Sequence, residues 1–176
     1  MRLRLSLGLA LLVAGCAVAG CSGAPGGTDA GPDAAGGDAG GGAARVELGT
    51  GTAAFEAIPE TGGELELVGG PQGGFHVFVT ARLFNLDPEG MTLRFSARDS
   101  STSTAVGTPA VFLLVAARVQ REGDHFVRVG DFLILDDSSP DAVRGTTLDI
   151  TVTAEDADGR AASDERTVLI VDNVGG

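Results

Sequence analysis

Lysine, tryptophan and tyrosine are absent from these 176 residues, and there are only two cysteines and two histidines. Both cysteines, Cys16 and Cys21, fall within the first 21 residues, so the long remainder has neither a disulfide nor a thiolate metal site open to it. Its stability has to come from an apolar core, from association or from bound ions. Without Trp and Tyr, eight Phe are the only aromatics. Phe has no polar handle, so most of these rings are expected in the core, and a sugar platform built on Trp or Tyr is disfavoured. Cations are scarce as well. Twelve arginines face 24 acids for a net charge of −12, or −14 once Arg2 and Arg4 are set aside and ten arginines remain. A surface of that sign repels nucleic acid and anionic lipid head groups, so a phosphate-binding role is not expected.

What is present begins at the N-terminus. Arg2 and Arg4 precede an apolar run from Leu5 to Val18, which ends in Val18-Ala19-Gly20-Cys21. A cationic start, an apolar stretch of about 7 to 15 residues and small residues before the cut make a secretory signal. The run is shorter than the roughly 20 residues of a spanning helix. The small tripeptide ending in Cys resembles the lipobox of bacterial lipoproteins. That resemblance implies a diacylglyceryl group on the Cys21 thiol, cleavage just before it, and acylation of the amine this exposes. Two or more acyl chains anchor stably where one is marginal. Val13-Ala14-Gly15-Cys16 fits the same pattern, so Cys16 is the alternative. Cleavage before Cys21 places a polar tract directly after the lipid, which favours Cys21. Ser22 replaces the Asp that retains enterobacterial lipoproteins in the inner membrane, and this favours the outer membrane.

Three segments follow from this. Residues 1–20 are the expected signal peptide, 21–44 the lipidated cysteine with its tether, and 45–176 the folded domain. From Ser22 to Ala44 only Gly, Ala, Asp, Pro, Ser, Thr and the lone Cys-adjacent small residues occur, with Asp29, Asp33 and Asp38 spaced along the tract. Such a tract cannot bury enough apolar surface to offset the entropy of ordering. As a flexible chain of 23 residues it spans about 25 Å.

Beyond Arg45 the apolar period becomes two. Val77, Val79, Ala81 and Leu83 share one parity, as do Met91, Leu93, Phe95 and Ala97, and Leu148, Ile150, Val152 and Ala154. Polar residues occupy much of the alternate face, which predicts antiparallel strands with one wet side. Shorter strands are expected at Arg45–Leu48, Ala53–Ile58 and Glu64–Val68, and longer ones at Phe126–Leu135 and Arg166–Val171. Glycine-rich stretches at Gly62-Gly63, Gly69–Gly74, Asp87–Gly90 and Ala157–Gly159 supply turns. Ala110–Arg121 reads as one arm of a hairpin turning at Glu122-Gly123-Asp124, although Thr108-Pro109 and Gly123 also suit the ends of a helix. About eight strands and little helix predict an all-β, antiparallel, immunoglobulin-like β-sandwich.

The run from Thr147 through Glu155-Asp156-Ala157-Asp158-Gly159-Arg160 to Asp172 resembles the closing hairpin of bacterial immunoglobulin-like, PKD-like and cadherin-like domains. The whole layout is similar to lipoproteins of myxobacterial type. The cadherin-like resemblance implies calcium on Asp156 and Asp158, with Glu155 and Asp172 as further oxygens, whereas a plain β-turn explains the same Asp and Gly residues. A second acidic loop, Asp136-Asp137-Ser138-Ser139-Pro140-Asp141, suits a solvated connection, or a shared cation if both loops lie at one end. His76 and His125 fall short of the three ligands of a hydrolytic zinc site. Ser100–Thr104 carries hydroxyls without a nucleophile elbow and reads as a flexible loop. Pro71-Gln72-Gly73-Gly74 reads as a turn. Phe78 and Phe84, opposite Val77 and Val79, belong to a second buried layer or an exposed patch.

The expected role is non-catalytic: a membrane-anchored module for structural, adhesive or protein-binding work in the cell envelope, its protein partner unnamed by the sequence. A calcium-binding module of the same build is the alternative, and an envelope hydrolase a weaker one.

Overall fold

Alternation carries through to burial. In Thr147–Glu155 the side chains of Leu148, Ile150, Val152 and Ala154 are at most 1% exposed, while Thr147, Thr153 and Glu155 face water. The computed structural model describes residues 42–70, 74–136 and 139–172, all within one unit running from Gly37 to Gly176. The leader, Cys16, Cys21 and nearly all of the tether lie outside the described residues.

In chain order the strands are β1 (Arg45–Thr50), β2 (Glu56–Ala57), β3 (Gly63–Glu66), β4 (Val68–Gly69), β5 (Phe75–Phe84), β6 (Thr92–Asp99), β7 (Ala105–Leu113), β8 (Gln120–Glu122), β9 (His125–Asp136), β10 (Thr147–Glu155) and β11 (Ala161–Val171). One sheet runs β2-β1-β5-β9-β8 with β4 also on β5, and the other runs β3-β11-β10-β6-β7. The two antiparallel-rich sheets make an all-β sandwich, with the β10–β11 hairpin beside β6 in the second sheet. Eleven strands form among the described residues where about eight were expected. The count rises because the Glu64–Val68 region divides into β3 and β4 and the Ala110–Arg121 region into β7 and β8.

The core lies between the sheets. Val77, Val79 and Leu83 of β5 and Leu148, Ile150 and Val152 of β10 have no exposed surface and belong to one cluster with Leu48, Leu133, Val168 and Ile170. Each such burial is worth about 1.5–3 kcal/mol. Phe95 is the largest side chain buried there. The expectation that most Phe rings serve the core fails. Phe75, Phe112 and Phe126 pack partly against it, but Phe55, Phe78, Phe84 and Phe132 lie outside that cluster. Phe78 and Phe84 form a half-buried outer layer, because arginine and histidine cover them: the Arg45 guanidinium sits 3.5 Å above Phe84, and His125 stacks on the same ring at 4.7 Å.

Three segments depart from the simple strand pattern. Ala53–Ile58 yields only β2, since residues 51–55 fold back and lay Phe55 against Gly49 and under Arg82. Glu64–Val68 splits at Leu67, where the chain leaves β11, with which β3 pairs in parallel, and crosses to β5. Ala110–Arg121 is no single arm. The turn at Gly123-Asp124 is there, with Glu122 opposite His125, but β7 starts at Ala105 and pairs with β6 in the other sheet, and a 3-10 turn at Ala116–Arg118 precedes β8. Pro109 is tolerated inside β7 because β7 is an edge strand, where a missing amide donor breaks no ladder.

Between Phe95↔Ala110 and Ala97↔Val106, residues 107–109 bulge away from β6. Gly107 makes the bulge. Its φ is +67°, and a Cβ there would stand 2.0 Å from the Ile134 carbonyl oxygen of β9. The bulge thus lets β7 lean across to the opposite sheet and close that side of the sandwich. Gly107→Ala is expected to lower stability by about 3 kcal/mol, read as a fall in the urea unfolding midpoint. Gly123→Ala, with a similar φ of +62° but open space around it, is expected to cost about 1 kcal/mol.

Candidate functional site

Asp156 sits where β10 hands over to β11, with no side-chain surface exposed. Its Oδ1 accepts the amides of Asp158 (3.1 Å) and Arg160 (2.9 Å). Its Oδ2 accepts the amide of Asp87 (3.3 Å) and pairs with Arg160 Nη2 at 2.8 Å. The backbone closes the same turn, since the Asp156 amide donates to the Arg160 carbonyl and the Gly159 amide to the Asp156 carbonyl, both at 3.0 Å. Burial alone raises the pKa of this carboxyl. The amides of Arg160 and Asp87, the Arg160 charge and the amide of Asp158 together outweigh it and hold the group below its ordinary 3.8. One carboxylate therefore ties the last hairpin to the β5–β6 connection.

For a cation this turn offers little. Both Asp156 oxygens are engaged by protein donors, and Asp158 is the outward carboxylate, 80% exposed and 3.9 Å from Arg160. The other expected ligands lie elsewhere. Asp172 follows β11 at its far end and pairs with Arg144, which also meets Asp141 at 2.9 Å. The second acidic loop precedes β10, so nine residues of strand, about 30 Å, separate it from the turn at Asp156. The shared-cation arrangement is excluded by that distance. The Asp136 side chain, Asp137 and Ser138 lie outside the described residues. Among the described residues no group of three or more His, Cys, Asp or Glu is placed to hold a metal ion.

The histidines stand at opposite ends of one strand pair. His76 faces Ile134 and His125 faces Phe84 across β5 and β9, eight strand residues or about 27 Å apart. His76 packs between Phe78 and Phe132, each ring centroid at 5.3 Å, and burial lowers its pKa below 6.5. His125 stacks on Phe84, with Nδ1 3.1 Å from Asp124. Pro71, Gln72 and Gly73 lie outside the described residues; the Gly74 carbonyl accepts the Gly70 amide at 2.9 Å.

Several carboxylates act in ways the sequence did not announce. Asp99 Oδ1 receives the amides of Ser101 (3.0 Å) and Thr102 (2.8 Å) and both their hydroxyls (2.6 and 3.0 Å), so the Ser100–Thr104 loop is hydrogen-bonded where flexibility was expected. The Ser101 hydroxyl, then the Thr102 groups, lower the Asp99 pKa. Asp131 is buried and holds Arg128 through two hydrogen bonds, one of 2.9 Å to Nε, while Arg128 Nη1 reaches the Arg118 carbonyl at 3.0 Å. Asp164 of β11 accepts the Leu48 amide of β1 at 2.8 Å, a bond between the two sheets. An Arg-x-x-Asp spacing around Gly130 was the one available signal for the Arg128–Asp131 pair.

The feature sequence reasoning missed altogether is apolar. The exposed large hydrophobics among the described residues are Val111, Leu113 (76% exposed), Val115, Phe132 and Ile134. All belong to β7, its exit or the neighbouring β9. The 105–117 stretch contains no charged residue, and Thr108 is its one polar side chain. Read as a buried hairpin arm, that run gave no hint that its odd positions face water. Four arginines have no carboxylate partner among the described residues, and all are close to this strip in the chain or ladder. Arg94 is opposite Val111 and Arg98 opposite Ala105, Arg118 ends the 3-10 turn, and Arg121 lies in β8.

Asp156→Ala strands three amides and a guanidinium, and is expected to cost about 3 kcal/mol in urea unfolding. Because the folded pKa is depressed, the carboxylate's contribution is complete above the ordinary value of 3.8 and is lost as pH falls through the lower folded value. The gap in stability between wild type and Asp156→Asn is therefore expected to hold at neutral pH and to narrow below about pH 4. No model of a known protein family matches the chain, and a search of curated proteins finds no similar sequence.

Proposed function

We propose that this chain is a lipid-anchored protein of the bacterial cell envelope, held at the outer membrane by Cys21, whose β-sandwich serves a non-catalytic, structural, adhesive or protein-binding role. The observation that carries the reading is how its side chains are used. Asp156, Asp99, Asp131 and Asp164 hold turns and sheets together, the histidines are packed against Phe rings, and bulky apolar groups are what the surface presents at β7 and β9. Those are the attributes of a surface that meets other surfaces. The lipid supplies confinement to a membrane, and the 23 residues between lipid and domain set a reach of about 25 Å.

Metabolic labelling with a palmitate analogue in the producing cell tests the anchor. Label and membrane fractionation are expected for the wild type and for Cys16→Ser, and both are expected to be lost in Cys21→Ser. Label lost in Cys16→Ser but kept in Cys21→Ser moves the anchor to Cys16. An unlabelled, unprocessed wild-type chain overturns the reading.

A further inference from the structure

We infer that the β7 strip docks the domain onto a lipid bilayer, with Val111, Leu113 and Val115 entering the headgroup region. This deepens the proposed function and rests on its lipid anchor. The first support is where the described chain begins. Asn85, directly after β5, holds the Ala43 carbonyl through Nδ2 at 3.0 Å. The same β5–β6 connection holds the exit of β7: Gly90 donates to the Leu114 carbonyl (3.1 Å), Leu114 donates to Met91 (2.8 Å), and the Glu89 carboxylate accepts the Ala116 amide (2.9 Å). The N-terminal entry and the residues Leu113 to Ala116 therefore share one end of the sandwich. A lipid on Cys21, joined by the 20 residues 22–41, brings that end to the membrane.

The second support is chemical. Leu113 and Val111 are 76% and 54% exposed on a segment without charge, so no ionised side chain has to be dehydrated and the aliphatic groups gain by burial at the acyl boundary. The chain's net negative charge repels anionic headgroups as a whole, but this segment is uncharged and is flanked by Arg94 and Arg118, whose long stems can lie along an interface while their heads meet phosphate or water. At the strip's exit Glu89 is engaged by the Ala116 amide, while the exposed acids of the same end, Asp124 and Asp158, sit in the β8–β9 and β10–β11 turns. Depressions of about 340, 430 and 460 Å³ among the described residues include no residue of β7, although Arg94 lines one of them. A strip of aliphatic groups beside arginine suits a deformable lipid surface better than a partner needing a pocket for an anchor side chain.

The mature lipidated chain has no free thiol if Cys21 carries the lipid, so a single Leu113→Cys can be labelled with an environment-sensitive fluorophore. The full lipidated protein is reconstituted in vesicles of phosphatidylethanolamine and phosphatidylglycerol, with or without lipids bearing a headgroup-depth quencher. Label at residue 113 is expected to shift to the blue and to lose about half its emission to the quencher. The same label on Asp141→Cys, at the other end of the sandwich, is expected to do neither. Val111→Ser with Val115→Ser is expected to weaken the quench at 113 while the protein still floats with the vesicles. Floating protein without quenching at 113 overturns the docking and leaves the anchor standing. Wild-type protein that does not float overturns both. A blue shift that needs no vesicles and grows with protein concentration assigns the strip to a second copy of the chain, and one that needs added envelope proteins assigns it to a protein partner; either result also overturns the docking.

Discussion

The two sheets of this protein are held by interdigitated aliphatic side chains with no covalent bond between them. Val77, Val79 and Leu83 from one side and Leu148, Ile150 and Val152 from the other are fully buried in a single cluster. Everything at the surface presupposes that contact. With Cys16 and Cys21 the only cysteines, no crosslink within the sandwich compensates for a poorly filled interior, and Phe95 is the one ring committed to filling it completely. Polar links between the sheets are local. Asp164 reaches Leu48 across the gap at one margin, and the Gly107 bulge brings β7 against β9 at another.

Acidic residues carry a second layer of organisation. A chain with twice as many carboxylates as guanidiniums has to place them where they repel least, and several here are consumed by backbone amides. Asp156 gathers the amides of the last hairpin and of the β5–β6 connection, and Asp99 gathers those of Ser101 and Thr102. Amide dipoles stabilise the charged form, so each of these acids is more acidic than a free one. Charge that looked like ligand-binding chemistry in one dimension is loop-building chemistry in three.

The long strands were legible because period-two alternation over eight or more residues has one physical meaning; β6 and β10 follow it throughout, and β5 follows it except at its bulge, where Thr80 is buried between Val79 and Ala81. Their turns were legible from glycine. The departures occur where burial is decided by something outside the local pattern. Leu67 is buried as the chain changes sheets, β7 runs through Pro109 because it is an edge, and the outer-face Phe rings are covered by arginines from other strands. The candidate site was legible only in part. Asp156 was singled out as a calcium candidate; its bonds to Asp158 and Arg160 lie within the local turn, but its bond to Asp87, 69 positions away, had no trace in the sequence. The exposure of Leu113 was illegible, since an apolar run in sequence reads as interior.

One pairing has a consequence for how the molecule comes into being. β3 lies parallel to β11, with Gly63 beside Val168 and Glu66 beside Val171, so an early segment finds its neighbour only in the final strand. A ribosome or an export pore delivers the polypeptide from its beginning. Until residue 171 has emerged, β3 and the neighbouring start of β10 have an open flank, and contacts so distant along the chain are slow to form. The sandwich is thus closed by its last-made strand, and its edges stay unpaired, open to a chaperone, for the whole interval of synthesis.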